Sequence, residues 1–287
     1  MNYWEFPLVL FTVFGQWAVG IVVTIAVLEY SCPYLLQGDS IKGLRIAGCS
    51  VFPLMALAQI VSLFHLGNPL GAYNAMLNIG TSSLSLEILS FGMFSGLSLI
   101  YSGLWWKMPE QLAARKLIGI VATIIGFGAI LASASVYLLP AHQTWNSWQT
   151  ISAFVTSAAL LGPLTIITAL SYSSRELKEW RKLNKNFGFW LLLALGVIAI
   201  TLIAFVKGYG NTFEQTRAIA NTITSSLFGF HLFASMLLPA VVALSLISRP
   251  LNLSSRFMMT IMIFAVLGEM SGRALFYYAV MSQQPWF

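Results

Sequence analysis

Two residues that can bind and release protons stand at the facing ends of two apolar segments. His65 opens the uncharged sequence HLGNP, and Glu87 closes the sequence LSLE at the start of the next apolar segment. An imidazole exchanges protons near neutral pH and a carboxylate can serve as a base, so the pair is suited to proton transfer. The protein has only 3 His and 9 Asp plus Glu. Because such groups are costly beside apolar segments, we interpret the pair as a candidate functional site.

The amino-acid composition indicates whether these residues lie in a water-soluble protein or in a membrane protein. Of the 287 residues, 58% are hydrophobic and 8% are charged, and the mean hydropathy is +0.80. A soluble core cannot bury so much apolar surface. A helix needs roughly 20 apolar residues to cross a hydrocarbon layer of about 30 Å. The sequence therefore predicts an all-α integral membrane protein, a single polytopic domain whose eight-transmembrane-helix bundle has spans near 7–30, 46–65, 84–106, 117–139, 151–172, 187–206, 226–248 and 257–281.

The 15 Lys and Arg residues predict how the bundle is oriented. Twelve fall in alternate connections between spans: Lys42, Arg45, Lys107, Arg115, Lys116, Arg175, Lys178, Arg181, Lys182, Lys185, Arg249 and Arg256. The other connections contain only Lys207 and Arg217. Basic connections stay in the cytoplasm, so both termini are expected outside, on the periplasmic side. This distribution explains the net charge of +6 without a nucleic-acid partner.

Five further residues inside the predicted spans are candidates for a binding site. Gln16 needs a hydrogen-bond partner within the bundle, and His231 falls in the first turns of the seventh span. Glu269 and Arg273 are one turn apart in the eighth span and can neutralise each other, so both a structural ion pair and a role in proton handling stay open. Tyr277 lies one turn further and suits the membrane interface or the lining of a ring-shaped pocket.

Small and aromatic residues predict how the spans pack. Gly268 and Gly272 would let a neighbouring helix approach closely. Gly162-Pro163 predicts a bend in the fifth span, which could open a cavity. Trp145 and Trp148, in the connection before that span, are typical of the aromatic belt at a membrane surface.

The ionisable residues are unevenly distributed across the predicted membrane. His65, Glu87, His231 and Arg273 belong to the outer half, Glu269 lies near the middle, and the inner half contains almost nothing ionisable. A channel or pump would need polar groups through the full thickness, so a half-depth pocket is favoured. A quinone site needs an apolar slot, hydrogen-bond partners for two ring oxygens, and a base for the quinol protons. His65 and Glu87 could supply the base.

Two other classes of membrane protein are alternatives. A cytochrome b would ligate haem iron with paired histidines, for which His65 and His231 are the possible pair, although both lie near the outer edge. A proton-coupled carrier could use Glu269 and Arg273, but the sequence has no clear internal repeat. No metal site is predicted, and two cysteines are fewer than the four that normally hold an iron-sulfur cluster.

Over its whole length the sequence resembles the membrane anchor subunits of bacterial anaerobic dimethyl sulfoxide reductases. The resemblance rests on EFPL and FTVFGQ near the start, HLGNP from His65, YN at 73–74, LSLE up to Glu87, GP at 162–163, and GE, GR and FY at 268–269, 272–273 and 276–277. Together, the order of these motifs and the eight-span layout make it specific.

The resemblance implies a haem-free anchor in the bacterial inner membrane. Such an anchor oxidises menaquinol and passes the electrons to a four-cluster iron-sulfur subunit, and from there to a molybdopterin catalytic subunit, in anaerobic respiration. It assigns the menaquinol-oxidising role to His65 and a supporting role to Glu87. The further candidates for the quinone site are Gln16, His231, Glu269, Arg273 and Tyr277.

The redox partners are expected on the outer face. Electrons that leave a quinol at His65 must reach a centre in another protein, because this protein lacks the cysteines for a cluster of its own. The partner should therefore cover residues 66–83 and the other outer connections, around 140–150 and 208–225. These connections carry few charges, as do the cores of protein interfaces. The sequence does not name the final electron acceptor or the stoichiometry of the complex.

Overall fold

A computed structural model of the protein describes residues 6–36, 40–65, 74, 78–173, 180–208, 210–248 and 254–281, and in these ranges its regular structure is entirely helical. The helices are α1 Phe6–Ser31, α2 Ser40–Ser62, α3 Ser83–Lys107, α4 Leu112–Val136, α5 Trp148–Ser173, α6 Trp180–Val206, α7 Phe213–Ile223, α8 Ser226–Ser248 and α9 Ser255–Met281. All except the short α7 are long and apolar enough to cross a membrane. The expectation of an all-α bundle with eight spans is confirmed.

Several basic residues assigned to connections lie in helices instead. Helix α2 begins at Ser40 and contains Lys42 and Arg45, and α4 begins at Leu112 and contains Arg115. Hydropathy detects only the apolar part of a helix, whereas a helix can continue beyond the hydrocarbon layer with long basic side chains extended toward water. Helices α2 and α4 therefore begin several residues before the predicted spans, which start at 46 and 117.

The spans form two groups, α1 to α4 and α5, α6, α8 and α9, which are joined where α1 packs against α5. Helix α1 packs against α2, α4 and α5, while α9 packs against α5 and α8. A Cβ atom added at Gly20 would overlap the main chain at Ala158, and one added at Gly162 would overlap the main chain at Gly20. Gly162 therefore serves the close crossing of α1 and α5, and α5 continues through Pro163.

Helix α8 contains a π-helical segment, Leu232–Leu237, directly after His231. Single π-helical turns inside α-helices occur often at functional sites. Across from this segment, a Cβ atom added at Gly272 would lie 2.6 Å from His231 Nδ1, and one at Gly268 would lie 2.5 Å from Ser235 Oγ. The predicted close approach at these two glycines is confirmed.

A buried ion pair lies at the end of the bundle where α1 ends and α4 begins. Arg115 Nε is 2.9 Å from Glu29 Oε1, and the two side chains are 1% and 0% exposed. The guanidinium carbon of Arg115 also lies 4.0 Å from the centre of the Trp105 ring. The expectation of almost no ionisable group in this half is wrong, because two residues that resemble helix-end charges in sequence meet inside the helix packing.

Candidate functional site

We call the end of the bundle where α1 begins the upper end. His65 lies there, at the close of the short 3₁₀ turn that continues α2, and its side chain lies outside the described part of the protein. Gln59 Nε2 donates to the Phe91 carbonyl at 3.4 Å, and Ser95 Oγ donates to Gln59 Oε1 at 3.0 Å. Because α2 and α3 run in opposite directions, this register brings the main chains of His65 and Glu87 to the same level.

The carboxylate of Glu87 points into the bundle. Its side chain is buried, and Oε1 accepts a hydrogen bond of 2.5 Å from Ser133 Oγ of α4. A carboxylate in the first turns of a helix gains only about 0.3–1 kcal/mol from the helix dipole. Burying a charge in a low-dielectric interior costs far more than that. The helix dipole alone therefore does not account for a glutamate at this position.

A pair of buried tyrosines lies beside Glu87. The hydroxyl of Tyr277 on α9 is 3.0 Å from that of Tyr137, which follows the last residue of α4. Tyr137 is one turn after Ser133, the residue that donates to Glu87, and the side chains of both tyrosines are buried. Tyr277 therefore belongs to the bundle interior rather than to the membrane interface.

Trp145 also lies inside the protein. Its indole ring is stacked on Phe276, with ring centres 5.3 Å apart, and its Nε1 donates to the Phe276 carbonyl at 2.8 Å. The assignment of Trp145 to an interfacial belt is wrong. The reason is that the connection between α4 and α5 folds back over α9 and buries Trp145, whereas Trp148, the first residue of α5, stays exposed.

A second polar cluster joins α1, α5 and α9. Arg273 Nη2 donates to Gln16 Oε1 at 2.9 Å and to Ser157 Oγ at 3.3 Å, while Ser157 Oγ donates to Glu269 Oε2 at 2.6 Å. The Arg273 guanidinium carbon lies 3.7 Å from the centre of the Phe154 ring. The expectation that Gln16 finds a partner in a neighbouring helix is confirmed.

Glu269 and Arg273 do not form the direct pair that their spacing suggests. Among the described residues, an ion pair within 4.0 Å joins Glu29 with Arg115, and none joins Glu269 with Arg273. Glu269 and Arg273 meet through the Ser157 hydroxyl instead, because the guanidinium turns away from its own helix toward α1 and α5.

A cavity of about 130 Å³ lies among α5, α6, α8 and α9, and its walls include Ser157, His231, Glu269 and Arg273. His231 Nδ1 is 2.9 Å from the carbonyl oxygen of Gly268. A carbonyl oxygen can only accept, so Nδ1 carries the proton. In the neutral ring Nε2 is then free to accept a hydrogen bond.

The structure divides the predicted site residues into two neighbourhoods. One neighbourhood is the cavity, which is lined by His231, Glu269 and Arg273, and Gln16 belongs to it through its hydrogen bond with Arg273. The other contains Glu87, near the end of α2. Sequence reasoning missed the residues that complete these neighbourhoods, namely Ser133, Tyr137 and Ser157. A serine within an apolar helix has the same pattern as a small packing residue, and no local signal reveals its distant carboxylate partner.

These features define a multi-pass membrane protein whose bundle contains buried charged and hydroxyl groups. Comparison with known sequences identifies its family. The protein belongs to the DMSO reductase anchor subunit (DmsC) family, whose model matches residues 1–278. The resemblance noted in the sequence is thereby confirmed.

Three curated relatives are similar over most of their length. The YnfH subunit of anaerobic dimethyl sulfoxide reductase from Escherichia coli K12 is 29% identical over 215 residues, covering 72% of this protein and 70% of the relative. The C subunit of anaerobic dimethyl sulfoxide reductase from the same organism is 29% identical over 225 residues, covering 75% and 74%. The C subunit from Haemophilus influenzae is 29% identical over 227 residues, covering 76% and 75%.

Proposed function

We propose that this protein is a haem-free anchor that oxidises menaquinol near the periplasmic face of the bacterial inner membrane. It passes the electrons to a four-cluster iron-sulfur subunit, which supplies a molybdopterin catalytic subunit in anaerobic respiration. Membership of the anchor family supports the anchoring role, and the curated relatives are named as components of anaerobic dimethyl sulfoxide reductases.

The observation that carries this proposal is the common level of His65 and the buried Glu87 at the upper ends of α2 and α3. Oxidation of a quinol releases two electrons and two protons. His65 accepts one proton and Glu87 the other, while the Ser133 hydroxyl orients the carboxylate. The exposed side chains of Phe64 and Leu84 give this end of the bundle an apolar surface for the ring and its tail.

His65 is the primary proton acceptor in this proposal. General acid–base groups contribute about 10²–10⁴-fold to rates. A His65→Ala complex should therefore lose at least about 10²-fold in menaquinol oxidation while it assembles normally. The assay is oxidation of a reduced menaquinone analogue by the purified complex, with Leu57→Ala, a change at an exposed residue of α2, as the control. Turnover of His65→Ala at the parental rate would remove this residue from the mechanism.

Glu87 has the supporting role. Glu87→Gln keeps the shape of the side chain and a partner for Ser133 but removes the base, so we expect a smaller yet clear loss of turnover. Glu110→Gln, an exposed carboxylate change between α3 and α4, is the matched control. If Glu87→Gln leaves both turnover and its pH dependence unchanged, the glutamate has a structural role only.

We further propose that the upper end faces the periplasm and carries the redox partners. Twelve basic residues are assigned to the opposite side from the sequence. Arg115 is buried in an ion pair, and the other eleven still outnumber Lys207 and Arg217, which are assigned to the upper side. Most of the connection 66–83 lies outside the described residues, so the accessible test uses the next upper connection. On right-side-out vesicles that lack the partner subunits, a cysteine at Ser147 should react with an impermeant thiol reagent, whereas a cysteine at Glu110 should not. The opposite pattern would invert the orientation.

The docking of the partners needs its own measurement. Bound iron-sulfur and molybdopterin subunits should protect the Ser147 cysteine from the reagent, because they cover the upper connections. Labelling at the same rate in the assembled and partner-free membranes would refute docking at this connection.

A further inference from the structure

The cavity among α5, α6, α8 and α9 has a mostly apolar wall and a polar floor. The wall includes the side chains of Trp145, Phe205, Phe228 and Phe276, together with Ile198 and Leu202. Pockets that bind small organic ligands have this character, with predominantly apolar walls and a few placed polar groups. Neither Glu87 nor any residue of α2 or α3 contributes to the wall.

The polar floor of the cavity includes two buried charged residues, Glu269 and Arg273. Glu269 is 7% exposed and Arg273 is 4% exposed. Within the part of the protein that the structure describes, Glu269 Oε1 and Arg273 Nε and Nη1 are buried and have no hydrogen-bond partner. Native proteins satisfy nearly all such groups, and the exceptions point to an additional ligand or water. Both residues line the cavity.

His231 adds an acceptor to the same floor. Its bond from Nδ1 to Gly268 fixes the ring and leaves Nε2 without the proton in the neutral form. The ring lies against Gly272, where even a methyl group would collide with it, so α8 and α9 hold it in place. The π-helical segment begins at the next residue. The residues of the floor thus combine the acceptor groups of Glu269 and His231 with the donor group of Arg273.

A second crevice adjoins the cavity at the upper end. Thr144, Gln149 and Phe205 line the cavity and also line this crevice, which continues to Lys207 and Asn211 beyond α6. Both the cavity and this crevice are lined by residues outside α2 and α3, so the cavity adjoins the upper end at a place separate from the His65–Glu87 site.

We propose that this cavity is a second ring-binding site, separate from the His65–Glu87 site, for the hydroquinone and quinone class of ligand. A hydroxyl of the reduced ring donates to Glu269 or His231, and a ring oxygen accepts from Arg273. The aromatic and aliphatic wall packs against the flat ring. The quinone class of this ligand rests on the proposed function, whereas the existence of the site rests on the cavity and on the incompletely hydrogen-bonded charged residues that line it.

The test is photo-cross-linking of the purified complex with an azido derivative of 2-methyl-1,4-naphthoquinone, followed by peptide mapping. We expect cross-links in residues 148–173 or 255–281 in addition to those in 40–107. Thr201→Phe should remove only the first set, because Thr201 is buried and lines the cavity. Ile200→Phe, the adjacent residue on the exposed face of α6, should change neither set.

A second variant separates ligand recognition from volume. Glu269→Gln should raise the quinone concentration that half-saturates the cavity cross-link by about tenfold, because it removes a charged acceptor. The cross-link in residues 40–107 should be unchanged. If Thr201→Phe fails to assemble, Ala153→Leu fills the cavity from α5 instead.

The outcomes distinguish the two proposals. Cross-links confined to 40–107, or a cavity cross-link that persists in the filled variants, would overturn the second site and leave the proposed function standing. Cavity cross-links alone, with menaquinol turnover lost in the filled variants but not in His65→Ala, would support the cavity and overturn the assignment to His65. Absence of all cross-links, together with access of a water-soluble thiol reagent to a cysteine at position 201, would mean a cavity that holds water only and would overturn both ring sites.

Discussion

Breaking the Glu29–Arg115 pair from one side should destabilise the bundle far more than removing both members. The charged atoms are 2.9 Å apart, and neither side chain is more than 1% exposed. Arg115→Met would leave the Glu29 carboxylate buried without this partner, which costs about 3–5 kcal/mol, and would also remove the contact with Trp105, worth about 0.5–2 kcal/mol. A loss of about 3 kcal/mol lowers the folded-to-unfolded ratio by roughly 150-fold.

Replacing both residues avoids that cost. The double variant Glu29→Met with Arg115→Met substitutes apolar groups of similar volume, and such replacements are neutral or stabilising by about 1–4 kcal/mol. The assay is unfolding in detergent micelles with increasing sodium dodecyl sulfate, followed by circular dichroism. Lys116→Met is the control, because its ammonium lies 4.5 Å from the Tyr30 ring at the bundle surface. A single-variant loss below about 1 kcal/mol, or a double variant as unstable as Arg115→Met, would refute this reasoning.

Two further predictions concern α5. Gly162→Ala should destabilise the folded protein, because the added methyl group would separate α1 from α5 at Gly20. Gly128→Ala is the control: an added Cβ there meets no atom within 4 Å, so the change should be neutral or slightly stabilising in the same unfolding assay. Equal effects of the two changes would contradict the packing argument. Ser157→Ala should cost about 1–3 kcal/mol, since it removes a hydroxyl that bonds to a buried carboxylate, and an unchanged unfolding midpoint would show that Glu269 does not depend on this bond.

The eight spans could be predicted because each is a continuous run of apolar residues, and a hydrocarbon layer admits little else. The ends of the helices could not be predicted as well. Helix α2 begins before its apolar run, at Ser40, so that Lys42 and Arg45 belong to the helix. The hydropathy of a residue reflects its preference for lipid or water. The end of a helix is set instead by its backbone hydrogen bonds, which can continue past the membrane surface.

The candidate site was predictable by residue type but not by partner. An ionisable or amide group within an apolar span is rare enough to attract attention, as Gln16, Glu269 and Arg273 do. The connection between Glu269 and Arg273 depends on Ser157, a residue of another helix whose hydroxyl bonds to both charged groups. Helix packing decides which serine faces a carboxylate, and the sequence of one helix does not contain that information.

Purification of this protein in mild detergent, with identification of everything that accompanies it, tests the central claim most directly. We predict an iron-sulfur subunit, a molybdopterin subunit and bound menaquinone, with no haem Soret band in the absorbance spectrum of the complex. A stable protein that purifies alone, or a complex that contains haem ligated by this subunit, would contradict the proposed function.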